Sequence, residues 1–211
     1  MTGKITAITV QQRNRERVNV VLDQGYSFSL TALVAAPLRI GQTLSDADIA
    51  RLQAQDTYQQ AYDRALKYLS YRPRSRAEVQ RYLAEKKIAP DVVEAIISRL
   101  SEAGLLDDTA FAKAWVENRA TFSPRGQRRL RQELYQKGLD APTVAGALQA
   151  VDEEAGAYQA ARPRAQRYTT LDRATFERRL GGFLQRRGFD YDVARRVVSR
   201  LWRELHTDDD D

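Results

Sequence analysis

Apolar and polar positions along this chain follow two different rhythms. Residues 4–10 and 17–22 are short runs rich in β-branched side chains, separated by the polar stretch Gln11 to Glu16. That pattern reads as two strands joined by a hairpin. Asp23-Gln24-Gly25 then turns the chain into Tyr26-Ser27-Phe28-Ser29-Leu30, which alternates with period two. A three-stranded meander is predicted, and because three strands bury little alone it should lean on the next segment of the chain. Thr31 to Ala36 suggests a brief helical turn before Pro37, and Gly41 marks another turn. Ser45-Asp46-Ala47-Asp48 can cap a helix entering at Ile49 and Leu52.

From about residue 56 the period becomes helical, and the pattern repeats. A shift of 51 lays Pro73 on Pro124, Val79 on Leu130, Leu83 on Leu134, Ile88 on Leu139, Val93 on Val144 and Ile97 on Leu148. A further shift of 50 brings in Leu180, Leu184, Phe189, Val198 and Leu201. Gly138 and Gly188 coincide, each after a basic residue, whereas the first copy has Lys87 in that place. Each copy divides into three helices. In the first, Tyr58, Tyr62, Ala65, Leu66 and Leu69 share a face, and Arg72-Pro73 ends that helix. Ser75-Arg76-Ala77-Glu78 fits a capping box. Pro90 suits the first turn of the next helix, and Gly104 can close it in a left-handed cap. The second copy opens on Asp107-Asp108, with turn signals at Ser123-Pro124, Gly138 and Asp140-Ala141-Pro142. In the third, Gly181-Gly182 is an odd helix interior, read as allowing close packing.

The fold expected is therefore mainly α: tandem three-helix repeats in an extended curved array behind a small three-stranded β module. Its parts are 1–54 (β module and short helix), 55–106, 107–151 and 152–205 (three repeats), and 206–211 (an acidic disordered tail). Such an array offers a long concave face to a partner.

Composition narrows the chemistry. There are no cysteines, so disulfides, thiolate nucleophiles and Cys-based zinc sites are excluded, and a cytoplasmic location is expected. No apolar run is long enough to span a membrane, and the N-terminus lacks a signal-peptide stretch. The net charge of +6 points weakly to an anionic partner, and lysine supplies only Lys4, Lys67, Lys86, Lys87, Lys113 and Lys137 of the 34 cations. Arginines recur around the second helix of each repeat: Arg72, Arg74, Arg76 and Arg81; Arg125, Arg128, Arg129 and Arg131; Arg173, Arg178, Arg179, Arg186 and Arg187. Residues three and four apart share a helix face, so Arg125, Arg128 and Arg129 are read as one stripe. Guanidinium forks suit phosphates and carboxylates. A single arginine reads as solvated surface with an intrahelical partner, such as Arg129 with Glu133; the repeated set reads as a binding surface. The residues assigned to it are Arg72, Arg74, Arg76, Arg81, Arg125, Arg128, Arg129, Arg131, Arg178 and Arg186.

Tyr68, Tyr71, Tyr82, Phe122, Tyr135 and Tyr168 lie near arginines and could stack on bases, but core packing is the favoured role. Trp115 and Trp202 read as core anchors. Asp107-Asp108 and Asp190 with Asp192 read as helix starts rather than Mg²⁺ ligands. His206, the one histidine, sits beside the acidic tail Asp208 to Asp211 and reads as frayed. No Walker-type Gly-x-x-x-x-Gly-Lys or Gly-x-Gly-x-x-Gly occurs, so neither a nucleotide cofactor nor any other is expected.

Two stretches carry a resemblance: Tyr68-Leu69-Ser70-Tyr71-Arg72-Pro73-Arg74-Ser75-Arg76-Ala77-Glu78-Val79, and Gly104-Leu105-Leu106-Asp107-Asp108-Thr109-Ala110-Phe111-Ala112 with Trp115 and Arg119 beyond. Both resemble the signature of the RecX family of regulatory proteins, and Gly126 to Leu134 and Lys137-Gly138-Leu139 continue the likeness. Similarity is dense over about 60–140 and looser over 150–205. Lys87 and the acidic tail depart from the family pattern; Lys87 stands where glycine is usual and could reshape that turn. The resemblance implies a non-enzymatic modulator of the RecA recombinase that binds the groove of the RecA–single-stranded-DNA filament. It also implies restraint of ATP hydrolysis, strand exchange and repressor cleavage in DNA repair and the SOS response. A monomer is expected, with no membrane partner and only weak, salt-sensitive binding to single-stranded DNA alone. The alternatives are a sequence-specific duplex reader built on helix-turn-helix-like repeats, and a scaffold with no nucleic-acid role.

Overall fold

A computed structural model describes residues 2–206. Strands β1 (Thr2–Val10), β2 (Arg17–Leu22) and β3 (Ser27–Thr31) form the expected meander, succeeded by a one-turn helix α1 (Ala32–Ala35). A fourth strand, β4 (Thr43–Ser45), corrects the expected count: it adds to β1 through Gly3 opposite Leu44 and Lys4 opposite Thr43. The antiparallel order is β3-β2-β1-β4. Three residues are too few to display an alternating pattern, so only the pairing reveals this strand. Along β2 the side chains alternate, and Val18, Val20 and Leu22 join Ile5, Phe28, Leu30 and Leu44 in one buried layer.

Helix α2 (Asp46–Ser70) closes over that layer with Leu52. The helix cap anticipated around Ser45 takes the form of a capping box: Asp48 N–H donates to Ser45 Oγ at 3.1 Å, and Ser45 N–H donates back to Asp48 at 3.1 Å. The Ser45 hydroxyl and then its N–H hold the Asp48 carboxyl below the usual carboxylate range. The helix runs unbroken through residues 54 and 55, where the β module was expected to end. Asp56, buried in mid-helix, accepts from the backbone N–H of Thr31, from Arg17 Nη2 at 3.1 Å and from Gln60 at 2.7 Å.

The chain packs as two compact units. The first holds the chain up to Pro73 together with Val79–Leu105: the sheet, α1, α2, most of α3 (Arg76–Glu85), and α4 (Pro90–Glu102). Ala61, Ala65, Val79, Leu83, Ile96, Ile97 and Leu100 are wholly buried there, and Arg99 lies 4.1 Å over the Tyr62 ring. Lys87 has φ 59°, so this lysine adopts the left-handed turn that Gly138 (φ 83°) and Gly188 (φ 84°) make in the later copies. The turn is kept, not reshaped.

The second unit holds Arg74–Glu78 and the described chain from Leu106 on. Its helices are α5 (Asp108–Phe122), α6 (Gln127–Gln136), α7 (Ala141–Leu148), α8 (Glu153–Ala165), α9 (Arg173–Arg186) and α10 (Tyr191–His206). Repeat positions deduced from the shifts are core: Leu130, Leu134, Leu139, Val144 and Leu148 in one cluster; Leu180, Leu184, Phe189, Val198 and Leu201 in another. Asp107, Asp140, Asp152 and Asp172 each accept from backbone N–H groups at a helix start. Hydrogen bonds from Thr143 and Thr175 hold Asp140 and Asp172 below the usual range.

Two expectations change here. Gly181 and Gly182 do not serve close packing of another element: a Cβ on Gly181 would meet nothing within 4 Å, and one on Gly182 only the end of the Arg186 side chain at 3.3 Å. Gly181→Ala therefore raises stability by about 1 kcal/mol through helix propensity alone, seen as a higher denaturation midpoint. His206 is not frayed: its ring stacks 3.6 Å from Trp202, with the two nitrogens against the carbonyls of Trp202 and Thr169. The rest of the expected acidic tail, 207–211, lies outside the described residues. Among those described, no helix is long and apolar enough to cross a membrane.

Candidate nucleic-acid interface

Within the second unit the connection before each second helix docks on the turn after a later one, and it does so twice. Ser75 heads α3 through the expected capping box: Glu78 N–H donates to Ser75 Oγ and Ser75 N–H donates to Glu78, both at 3.2 Å. Ser75 Oγ also donates to the Lys137 carbonyl at 2.6 Å, and Lys137 Nζ reaches Glu78 at 2.9 Å. One repeat on, Gly126 N–H donates to the Arg187 carbonyl at 3.1 Å, and Arg187 Nη1 donates to the Pro124 carbonyl at 3.1 Å. Acids opening the next repeat complete both joints. Asp108 accepts from Arg76 N–H at 2.8 Å; Glu153 accepts from Gln127 N–H at 3.1 Å and from Asp190 N–H at 3.2 Å. Asp107 thus caps α5, as its position at a helix start suggested, while Asp108 serves the start of α3 instead.

These joints set where the arginines point. In the first unit Arg72 is exposed in the turn after α2, folded back onto the Pro73 carbonyl at 2.8 Å, and Arg81 is exposed on α3. In the second, Arg76 is exposed and Arg74 half-buried. Arg125, Arg128 and Arg129 do not form the single stripe expected of them. Arg125 precedes α6, whose N-cap is Gly126, and its Nε is buried without a hydrogen-bond partner. Arg129 turns to Glu133 at 3.5 Å, the intrahelical pair foreseen for it. Arg128 donates to the Gln185 carbonyl at 3.1 Å and, with Arg131, lines an open cavity of about 570 Å³ beside Glu153, Asp190 and Tyr191. Arg178 and Arg186 are exposed two turns apart on α9.

Sequence reasoning missed two groups. Buried Glu133 accepts from Trp115 Nε1 at 3.0 Å and Arg119 Nε at 2.9 Å, while Arg119 and Lys137 sit 4.6 and 4.9 Å from the Trp115 ring. The indole is thus half-buried with its N–H satisfied. The other group is Arg164 and Arg187, whose guanidiniums lie 4.2 and 4.8 Å from the Phe183 ring. Burial lowers the proton affinity of Arg187, and the charges of Arg125 and Arg164 lower it further. Nothing in the sequence links residues so far apart; the only signal was the repeat register, which aligns Arg187 with Lys137.

The aromatics divide. Tyr68 and Tyr82 stack on each other at 4.1 Å, and Tyr168 packs on the last core. Tyr71, Phe122 and Tyr135 are exposed (72%, 78% and 47%), contrary to the core role favoured for them. The first unit thus exposes Tyr71 with Arg72 and Arg81, and the second exposes Phe122 and Tyr135 with Arg128 and Arg131; rings and guanidiniums together suit a polyanion with stackable bases.

Comparison with known proteins gives the family. Residues 3–45 match the regulatory protein RecX N-terminal domain, and 61–100, 107–148 and 152–198 match the first, second and third RecX three-helix domains. Regulatory protein RecX of Bacillus subtilis is 34% identical over 211 residues, covering 98% of this chain and 79% of the relative. The Bacillus licheniformis protein is also 34% identical, over 212 residues with the same coverage. A crystal structure of regulatory protein RecX superposes with a TM-score of 0.75 at 28% identity, over 93% of this chain and 99% of that one. RecX from Lactobacillus salivarius gives 0.65 at 27%, over 70% and 97%. With four RecX domains in order from residue 3 to 198 and a relative 34% identical across 98% of this chain, the chain belongs to the RecX family of regulatory proteins.

Proposed function

We propose that this chain regulates the RecA recombinase, binding the groove of the RecA–single-stranded-DNA filament and restraining ATP hydrolysis, strand exchange and repressor cleavage without catalysing any step itself. Its place is DNA repair and the SOS response, as a monomer in the cytoplasm. One observation carries the reading: in a chain with RecX domains in order, arginines recur in and just before the second helix of every three-helix repeat. Arg72, Arg74, Arg76, Arg81, Arg125, Arg128, Arg131, Arg178 and Arg186 are the proposed contacts. Arg129 contributes less, because Glu133 already holds it. A filament joins a phosphate backbone to protein, and forked guanidiniums serve both. Binding to DNA alone is weak and falls steeply with salt, since each neutralised phosphate releases counterions.

The test is RecA ATPase on single-stranded DNA with increasing amounts of this protein. Inhibition sets in well below one molecule per recombinase subunit. Arg128→Ser with Arg131→Ser, which lie exposed on α6, weakens it by about tenfold, each charge-assisted hydrogen bond being worth a few-fold or more. Unaltered ATPase at equimolar protein would sink the reading. A sequence-defined footprint on duplex DNA would instead favour a duplex reader.

A further inference from the structure

The two joints of the second unit differ in charge. In the first, Lys137 is neutralised by Glu78 at 2.9 Å, with Glu133 buried nearby on Trp115 and Arg119. In the register of the repeats Lys137 becomes Arg187, Glu78 becomes Arg129, and Glu133 becomes Phe183. Both carboxylates are gone. A third cation, Arg164, is added where the second repeat has Ala114.

The result is a cluster of like charges. Arg164 and Arg187 flank the buried Phe183 ring at 4.2 and 4.8 Å. Arg187 is half-buried and pinned to the Pro124 carbonyl, one residue from Arg125. Arg125 holds a buried Nε with no acceptor. Among the described residues none of the three forms an ion pair, whereas Arg17 pairs with Asp56, Arg119 with Glu133 and Arg196 with Glu154. Three guanidiniums held close together, two of them partly buried and none facing a carboxylate, make a place where an anion is favoured. We propose that Arg125, Arg164 and Arg187 form a phosphate site, and that its ligand is the backbone of single-stranded nucleic acid. Choosing the backbone over a small free phosphate rests on the function proposed above. A phosphodiester oxygen pair matches a guanidinium fork, and the aromatic ring beneath holds the forks in place without competing as an acceptor.

The deciding variant is Arg164→Gln, because Arg164 is exposed on α8 and covers one face of the Phe183 ring from outside, so folding survives. Fluorescence anisotropy with a labelled oligothymidylate reads the affinity of the full chain. Arg164→Gln weakens binding about tenfold, and the slope of log affinity against log salt falls by about 0.7 because one phosphate is no longer neutralised. Arg173→Gln with Arg195→Gln, which removes two exposed cations paired with Glu177 and Asp192, changes affinity less than about twofold. Wild-type affinity in Arg164→Gln, or an equal loss in the control pair, overturns the site. Thermal protection by pyrophosphate with oligothymidylate affinity unmoved by Arg164→Gln makes the ligand a small phosphate and overturns the nucleic-acid assignment. RecA ATPase separates the two proposals: no inhibition alongside Arg164-dependent DNA binding removes the recombinase reading and leaves the site. Inhibition alongside Arg164-independent DNA binding does the reverse.

Discussion

Gly126→Ala lowers the stability of the second unit by about 3 kcal/mol, the upper part of the range for forcing atoms into packed space. For a unit of this size the thermal midpoint falls by on the order of 10 °C. The backbone of Gly126 is not unusual, so the cost comes from its neighbour. An added Cβ would lie 2.1 Å from the Gly188 carbonyl oxygen and 2.2 Å from the Phe189 nitrogen. Those are main-chain atoms in a left-handed turn and no rotamer change moves them aside. The bond from Gly126 N–H to the Arg187 carbonyl at 3.1 Å breaks as the turns part. Gly181→Ala is the internal control: the same chemical change, placed where a Cβ meets nothing, moves the midpoint the other way. Equal midpoints for Gly126→Ala and wild type would mean that the two turns are not in contact.

Glu133→Ala costs about 3 kcal/mol, at the lower end for breaking a buried ion pair because the Arg119 side chain keeps 30% exposure. Removing the carboxylate strands the Trp115 N–H and the Arg119 guanidinium, each of which has its acceptor there at 3.0 Å or less. Glu133→Gln retains an oxygen for one of the two and loses about half as much. Urea titrations of both variants and of Arg119→Ala give a double-mutant cycle with a coupling of about 1–2 kcal/mol. Additive losses would show that the carboxylate and the guanidinium act independently.

Much of this architecture is written locally. The strand alternation, the Ser45 helix cap, the Ser75 capping box, Pro90 at a helix start and the 51- and 50-residue shifts all concern neighbours or a strict period, which a sequence displays directly. What escaped it was decided at long range. Thr43–Ser45 becomes a strand only because β1 offers an edge. Helix α2 continues through Gln53-Ala54-Gln55 because Leu52 and Asp56 on either side are held by the sheet. Lys87 keeps a conformation that glycine usually takes, since the surrounding turn defines it. The candidate surface was half legible. Its arginines could be counted by repeat, but Arg125 left the helix it was assigned to. Arg164 and Arg187 meet on Phe183 only after α8 and α9 fold together.

Helix α2 has a mechanical consequence. Its first turns are bolted to the strands through Leu52 and Asp56, and its last turns serve the bundle that holds Tyr62 and Arg99. A single stiff rod therefore spans both, with no swivel between them. Torque on the amino-terminal sheet passes straight into the leading bundle, so the sheet is a handle and not a pendant.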